Sequence, residues 1–157
     1  MTIKDLLYAM FLESSNTCAN ALGTLVGRKI LHNSSADNTT ARTRFMSTMS
    51  ERLKELGGSG WSGSASGYGY ETAVLHSRDL LKILIEAVSF PEILRIWNKK
   101  TYTVKISGTN ARNVNIETTV ADEYYEKEYY IIGGKTGTGT GGPYNVVLIS
   151  EPLVAAI

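Results

Sequence analysis

The sequence has little of what several large classes of protein depend on. Its single cysteine, Cys18, excludes an internal disulfide, and its two histidines, His32 and His76, lie too far apart to suggest a cluster of zinc ligands. The formal net charge is only +1, which argues against electrostatic binding of nucleic acid. The composition therefore predicts no metal or cofactor and no nucleic-acid partner.

Long apolar runs and a basic N-terminus are also missing. No stretch reaches the roughly eighteen apolar residues of a membrane span. The opening segment carries Asp5 next to Lys4, where a secretory signal peptide is positively charged. With 157 residues and 43% hydrophobic residues, the chain is long and apolar enough for one globular domain, which we expect to extend over residues 1–157.

The spacing of apolar residues changes near residue 100. Before it, helical spacing predicts five helices, at residues 3–12, 17–26, 45–56, 77–88 and 91–97. Thr2 and Asp5 form a capping pair for the first helix, and Gly27 is expected to end the second. After residue 100, alternating residues predict strands at 102–106 and 114–120. The sequence thus predicts an α+β fold, mainly helical over 1–100 and an antiparallel sheet over 101–157.

A glycine-rich segment with one cation, residues 133–141, follows the apolar run 129–132. Gly134-Lys135-Thr136 imitates the end of a phosphate-binding loop, but that motif needs a glycine at position 129, which is Tyr. Residues 144–149 are strand-like, whereas a phosphate loop opens a helix. We therefore predict a strand, a glycine-rich turn and a second strand, with an anionic substrate group held beside Lys135.

A Lys-Thr-Gly sequence on a strand gains meaning when a Ser-x-Asn triplet lies between helices, and Ser14-Ser15-Asn16 supplies one. With it, the chain resembles the penicillin-binding serine DD-peptidases, most closely the low-molecular-weight D-alanyl-D-alanine carboxypeptidases. The landmarks occur in the family's order and are residues 2–8, Ser14-Ser15-Asn16, the segment 45–57, residues 76–80 and residues 134–137.

One family motif is missing from the 157 residues. The resemblance implies a nucleophilic serine in a Ser-x-x-Lys motif upstream of the Ser-x-Asn triplet, yet no Ser or Thr here is followed three residues later by Lys. The sequence is thus similar to the C-terminal part of a DD-peptidase domain. We expect it to be inactive alone, and to self-associate through apolar surface that the missing part would cover.

The resemblance implies catalytic roles for three residues. Ser14 would pass a proton toward the departing D-alanine amine, because a hydroxyl both donates and accepts. Asn16 would hold the backbone of the substrate. Lys135 would place a positive charge beside Ser14 and the terminal carboxylate. From the residues alone, helix capping is the more common use of Ser14 and Asn16, and the ordered resemblance reverses that preference.

The same resemblance implies the substrate and its binding residues. Thr136 would bind the terminal carboxylate, Gly137 would let the substrate pair with the strand backbone, and Thr138 would give its N–H to an oxyanion hole. The implied partners are peptidoglycan stem peptides ending in D-Ala-D-Ala and, in the intact domain, β-lactams. The implied location is outside the cytoplasmic membrane.

Two other functions fit parts of the pattern. A non-catalytic homologue could keep the groove that holds the carboxylate and bind peptidoglycan peptides without cleaving them. A fragment of a class A β-lactamase would use similar motifs but needs a Glu-x-x-x-Asn segment before Lys-Thr-Gly, and neither Glu117 nor Glu123 supplies it.

Overall fold

The computed structural model describes residues 1–60, 63–68, 75–120, 129–138 and 144–152. They form two compact units, residues 1–15 with 91–157 and residues 16–90. The described elements, in chain order, are α1 (Ile3–Phe11), α2 (Asn16–Ile30), α3 (Asn38–Glu55), α4 (Ser77–Val88), α5 (Pro91–Trp97), β1 (Thr101–Ile106), β2 (Arg112–Glu117), β3 (Tyr129–Thr138) and β4 (Tyr144–Pro152). The predicted α+β class is confirmed, whereas the single domain over 1–157 stays a prediction.

The first unit is anchored by the predicted capping pair at the start of α1. Thr2 Oγ1 accepts from the Asp5 N–H at 3.1 Å, and the Asp5 carboxylate accepts from the Thr2 N–H at 3.0 Å. The buried Asp5 also accepts from the Tyr102 hydroxyl at 3.0 Å, and the Tyr102 ring stacks on Tyr8 with centroids 3.8 Å apart. One carboxylate thus joins the N-terminus of α1 to β1.

The strands of the first unit form two antiparallel pairs. β1 pairs with β2 from Thr101↔Glu117 to Ile106↔Arg112. β3 pairs with β4 from Tyr129↔Pro152 to Thr138↔Tyr144, with a bulge between Ile131 and Gly133. β3 extends farther than the apolar run 129–132, because the ladder to β4 continues through residues 133–138 and places Lys135 inside the strand. The aromatic segment 124–128 and the tip 139–143 lie outside the described residues.

The second unit consists of the helices α2, α3 and α4 and corrects two helix boundaries. α2 runs through Gly27, which was expected to end it; a Cβ at Gly27 would lie 1.8 Å from the carbonyl oxygen of Ala41, so the glycine permits close packing on α3. α3 begins seven residues before the predicted start because Asp37 caps it, accepting from the N–H groups of Thr39 and Thr40, both at 2.9 Å.

One side of α4 is buried and another side is exposed. Asp79 is buried and accepts from the Ser59 backbone N–H at 3.2 Å, which ties α4 to the loop after α3. Leu81 and Ile85, one helical turn apart, are 55% and 63% exposed. No helix in the described ranges is both long enough and apolar enough to cross a membrane.

Candidate active site

The structure brings two of the predicted site residues together within the first unit. Lys135 Nζ lies 2.6 Å from Ser14 Oγ and donates a hydrogen bond to it, although 121 positions separate the two residues. Lys135 also donates to the backbone carbonyl of Thr136. Both Ser14 and Lys135 are partly buried. A hydroxyl and an amine held at this distance can exchange a proton.

The backbone just after α1 sets the position of Ser14. The Leu12 N–H closes the helix on Tyr8 O at 2.8 Å, and the Ser15 N–H donates to Ala9 O at 3.0 Å. Between these bonds Ser14 adopts φ +61°, in the left-handed region that residues other than glycine rarely occupy. The chain therefore holds this serine in an unfavourable conformation that the surrounding hydrogen bonds maintain.

The electrostatic environment of Lys135 disfavours its charge. Burial lowers the pKa of the Lys135 ammonium below its ordinary value. None of the salt bridges between residues in the described ranges involves Lys135. Its recorded hydrogen bonds go to the neutral oxygens of Ser14 and Thr136. Burial therefore makes the protonated form of Lys135 less favourable than it is for a lysine in water.

Thr136 lies beside a residue that the sequence interpretation did not single out. Thr136 is buried, and its Oγ1 is 2.5 Å from Oγ1 of Thr119. The backbone N–H of Thr119 donates to Leu12 O at 3.0 Å, which connects the segment after β2 to the end of α1. No motif marks Thr119, and its position next to the site depends on this tertiary contact. The predicted role of Thr136 in binding a carboxylate stays a prediction.

The glycines around Lys135 serve different purposes. A Cβ at Gly133 would meet Trp97, and a Cβ at Gly134 would lie 2.4 Å from Val147 O. Close packing against neighbouring backbone therefore explains why both positions are glycine. At Gly137, the nearest atom of the described residues would be 3.9 Å away, an ordinary contact distance. Protein packing therefore explains Gly133 and Gly134, whereas no described atom crowds Gly137.

The other predicted site residues lie at the ends of their elements. Asn16 is exposed and is the first residue of α2, in the second unit. Thr138 is exposed at the last position of β3. Cys18 is buried. Among the residues that the structure describes, no three His, Cys, Asp or Glu side chains come together as metal ligands.

The profile of the beta-lactamase enzyme family matches residues 1–157, the whole sequence. The chain belongs to this family. This is a family of serine acyl-transferring enzymes, in which a serine carries the acyl group. The Ser14–Lys135 pair is found in a chain of this family. No curated protein sequence is similar enough to be matched.

Solved structures support the fold. A DD-transpeptidase from Streptomyces is similar with a TM-score of 0.79 and 26% identity over 94% of this chain and 55% of that one. A mutant of that enzyme gives 0.77 and 24% over 98% and 63%. An evolved homolog of penicillin-binding proteins from Mycobacterium tuberculosis gives 0.63 and 21% over 99% and 58%. The chain spans 55–63% of the length of these structures.

Proposed function

We propose that this chain is part of a serine-type D-Ala-D-Ala carboxypeptidase that acts on peptidoglycan stem peptides. The observation that carries the proposal is the 2.6 Å contact between Lys135 Nζ and Ser14 Oγ, since it joins two motifs that the family resemblance pairs. A carboxypeptidase and a transpeptidase share the acyl-enzyme step and differ in whether water or an amine accepts the acyl group.

In this proposal Lys135 and Ser14 serve the leaving group and the substrate carboxylate. Lys135 attracts the terminal carboxylate of the stem peptide, and Ser14 relays a proton to the D-alanine amine as the peptide bond breaks. Asn16 holds the substrate backbone. The serine of a Ser-x-x-Lys motif, absent from these 157 residues, would attack the carbonyl carbon, so the chain alone is not expected to cleave the peptide.

The edge of β3 offers a place for the peptide. Among the described strands, β3 pairs with β4 and with no other strand, so an extended peptide can add along its second edge. Gly137 supports that approach, because a Cβ there would meet no atom of the described residues closer than 3.9 Å. We assign Thr136 to the carboxylate and the Thr138 N–H to the oxyanion. Because the proposed substrate lies outside the cytoplasmic membrane, we propose that the working enzyme acts there.

Calorimetric titration with a diacetylated L-Lys-D-Ala-D-Ala peptide tests this proposal. We expect binding to the chain, weaker binding of the L-Ala-L-Ala isomer, and at least about tenfold weaker binding to Lys135→Met, because removal of a charge that contacts the ligand costs 1.4 kcal/mol or more. Lys54→Met is the matched control, since Lys54 lies on α3. Equal affinity for both isomers would overturn the proposal.

A non-catalytic peptidoglycan-binding homologue is the second candidate, because the unpaired edge of β3 among the described strands would let it hold a peptide without a nucleophile. The two candidates differ in whether the gene encodes a nucleophilic serine upstream of Met1. In-frame codons for Ser-x-x-Lys upstream of Met1 favour the carboxypeptidase, and adding that segment should then restore both labelling by a fluorescent penicillin and release of D-alanine. A start codon with its own ribosome-binding site at Met1 favours the binding protein.

A further inference from the structure

We propose that Ser14 and Lys135 form a serine–lysine dyad in which Ser14 itself accepts an acyl group from activated esters. The chain would then have a weak esterase activity that needs no Ser-x-x-Lys motif. This inference rests on the same pair as the proposed function, and for activated esters it adds a covalent role of Ser14 to the proton relay proposed for the peptide.

The distance between the two side chains is that of a nucleophile and its base. Ser14 Oγ and Lys135 Nζ are 2.6 Å apart, within the range of about 2.6–3.2 Å for such pairs. The carbonyl of Thr136 accepts a second hydrogen bond from the amine and fixes its direction. When Lys135 loses its proton, the lone pair of Nζ is left facing Ser14, whose hydroxyl can then donate to it.

The backbone at Ser14 presents the hydroxyl on a sharp turn. Ser14 has φ +61° between the end of α1 and the start of α2, and such unfavourable conformations in serine are found at functional sites, including the turns that carry nucleophiles. Its side chain is partly exposed, so a small ester can reach it. The neighbouring Ser15 does not have a positive φ, and the two hydrogen bonds described for the Lys135 amine go to Ser14 and Thr136.

The surroundings of Lys135 support a role as base. Burial lowers its pKa, which increases the fraction of neutral amine near neutral pH. No carboxylate in the described ranges forms a salt bridge with it. A lysine paired with a carboxylate would keep its proton and could not remove one from serine.

The reaction balances as follows for an aryl acetate. Neutral Lys135 takes the proton of Ser14 as Oγ bonds to the acetyl carbonyl carbon, and the ester C–O bond then breaks to release a phenolate. The product is acetyl-Ser14 with Lys135 protonated. Lys135 returns its proton to solvent, and a water molecule later hydrolyses the Ser14 ester to acetate.

The site lacks one donor that amide substrates need. The Ser15 N–H, next to the nucleophile, is occupied by Ala9 O at 3.0 Å and is not available to an oxyanion. An aryl ester has a good leaving group and tolerates this lack, whereas a peptide, whose amine is a poor leaving group, does not. Acylation of Ser14 by esters is therefore compatible with no peptide cleavage by the 157-residue chain alone.

The test compares p-nitrophenyl acetate turnover by the 157-residue chain and four variants. Wild type should release nitrophenolate and carry one acetyl group on Ser14 in peptide mass spectra. Ser14→Ala and Lys135→Met should lose at least about tenfold in rate, since general-base catalysis contributes about a hundredfold or more. Ser15→Ala should stay within about twofold, and Ser14→Cys should be acylated again because a thiol is also a nucleophile. Circular dichroism establishes that each variant is folded.

Two results would overturn the inference: acetylation that falls on Lys135 or another residue, or a rate that Ser14→Ala does not change. If Ser14→Ala unfolds, acylation of Ser14→Cys and its dependence on Lys135 decide the question. Peptide binding is a separate measurement. If Ser14 is acylated but the chain does not prefer the D-Ala-D-Ala peptide, only the proposed function is overturned. If the chain prefers that peptide but Ser14 is not acylated, only the dyad is overturned.

Discussion

Gly133 of β3 lies directly against the backbone of Trp97, the last residue of α5. A Cβ built at Gly133 would be 2.6 Å from Trp97 Cβ and 2.8 Å from its carbonyl carbon and oxygen. Backbone atoms cannot rotate away as a side chain can, so any side chain at Gly133 must separate β3 from α5. Lys135 lies two residues farther along the same strand, so this contact also fixes the position of Lys135, the proposed general base.

We expect Gly133→Ala to lower the free energy of unfolding by about 1–3 kcal/mol, the usual cost of overpacking. Urea denaturation followed by circular dichroism measures the change. The same variant should weaken binding of the D-Ala-D-Ala peptide, because displacement of β3 moves Lys135.

Gly137→Ala is the matched control in the same strand. Its new Cβ would meet only Asn145 Cβ, at an ordinary contact distance of 3.9 Å. Its unfolding free energy should change by less than about 0.5 kcal/mol. Equal destabilisation by the two substitutions would show that the contact with Trp97 is not what makes Gly133 necessary.

Local patterns of the sequence predicted the parts of the fold that depend on local chemistry. The Thr2–Asp5 capping box and the helix Pro91–Trp97 were predicted correctly, because a cap and a proline at a first turn act within a few residues. Gly27 was misinterpreted as a helix end. Its real reason is the carbonyl of Ala41 on another helix, which no local pattern reveals.

Only those site residues that belong to sequence motifs could be predicted. Ser14 and Lys135 were paired through the family resemblance, and the structure places them in contact. The hydroxyl of Thr119 belongs to no motif, and its contact with Thr136 depends on the path of the chain after β2. The strand continues through residues 133–138, farther than the apolar run 129–132 predicts, and two of the glycines there allow close packing.

Stability should fall at low pH through Asp5. Its hydrogen bonds from Thr2, whose effect exceeds that of burial, lower the pKa of the Asp5 carboxyl to about 2. The unfolded chain binds the proton near pH 3.8, so this stabilisation is complete above that pH and is lost as pH falls toward about 2. We expect the contribution to be on the order of 1–2 kcal/mol.

Urea denaturation of wild type and Asp5→Asn between pH 2 and 6 measures this contribution. Asparagine keeps the size of the side chain but cannot titrate. The difference in unfolding free energy between the two proteins should shrink as pH falls from 4 to 2. A difference that stays constant over this range would mean that Asp5 is not the group responsible.

Lys135 should make the chain more stable as the solution becomes more alkaline. Its pKa is lowered by burial, so between its folded value and the ordinary 10.5 the unfolded state binds more protons, and stability rises with pH. Lys135→Met should lack this rise and should be more stable than wild type at pH 7, because a buried charge is replaced by an apolar side chain of similar length. Thermal unfolding at several pH values measures both effects.

NMR of ¹³C-methylated lysines gives a direct control for this prediction. The Lys135 signal, identified by its loss in Lys135→Met, should titrate below the 10.5 of an unperturbed lysine. Ser14→Ala should retain the lowered value, since burial and not the serine is its cause. A titration midpoint at or above 10.5 would contradict the prediction.

Self-association should depend on the apolar face of α4. Leu81 and Ile85 are 55% and 63% exposed and lie one turn apart, so they form adjacent apolar surface that a second molecule can cover. The double variant Leu81→Gln with Ile85→Gln should dissociate at concentrations where wild type is associated, as measured by sedimentation velocity. Ile3→Gln is the matched control, because Ile3 is equally exposed at 63% but lies on α1. Wild type that sediments as a monomer at every concentration, or equal dissociation by Ile3→Gln, would exclude α4 as the specific contact.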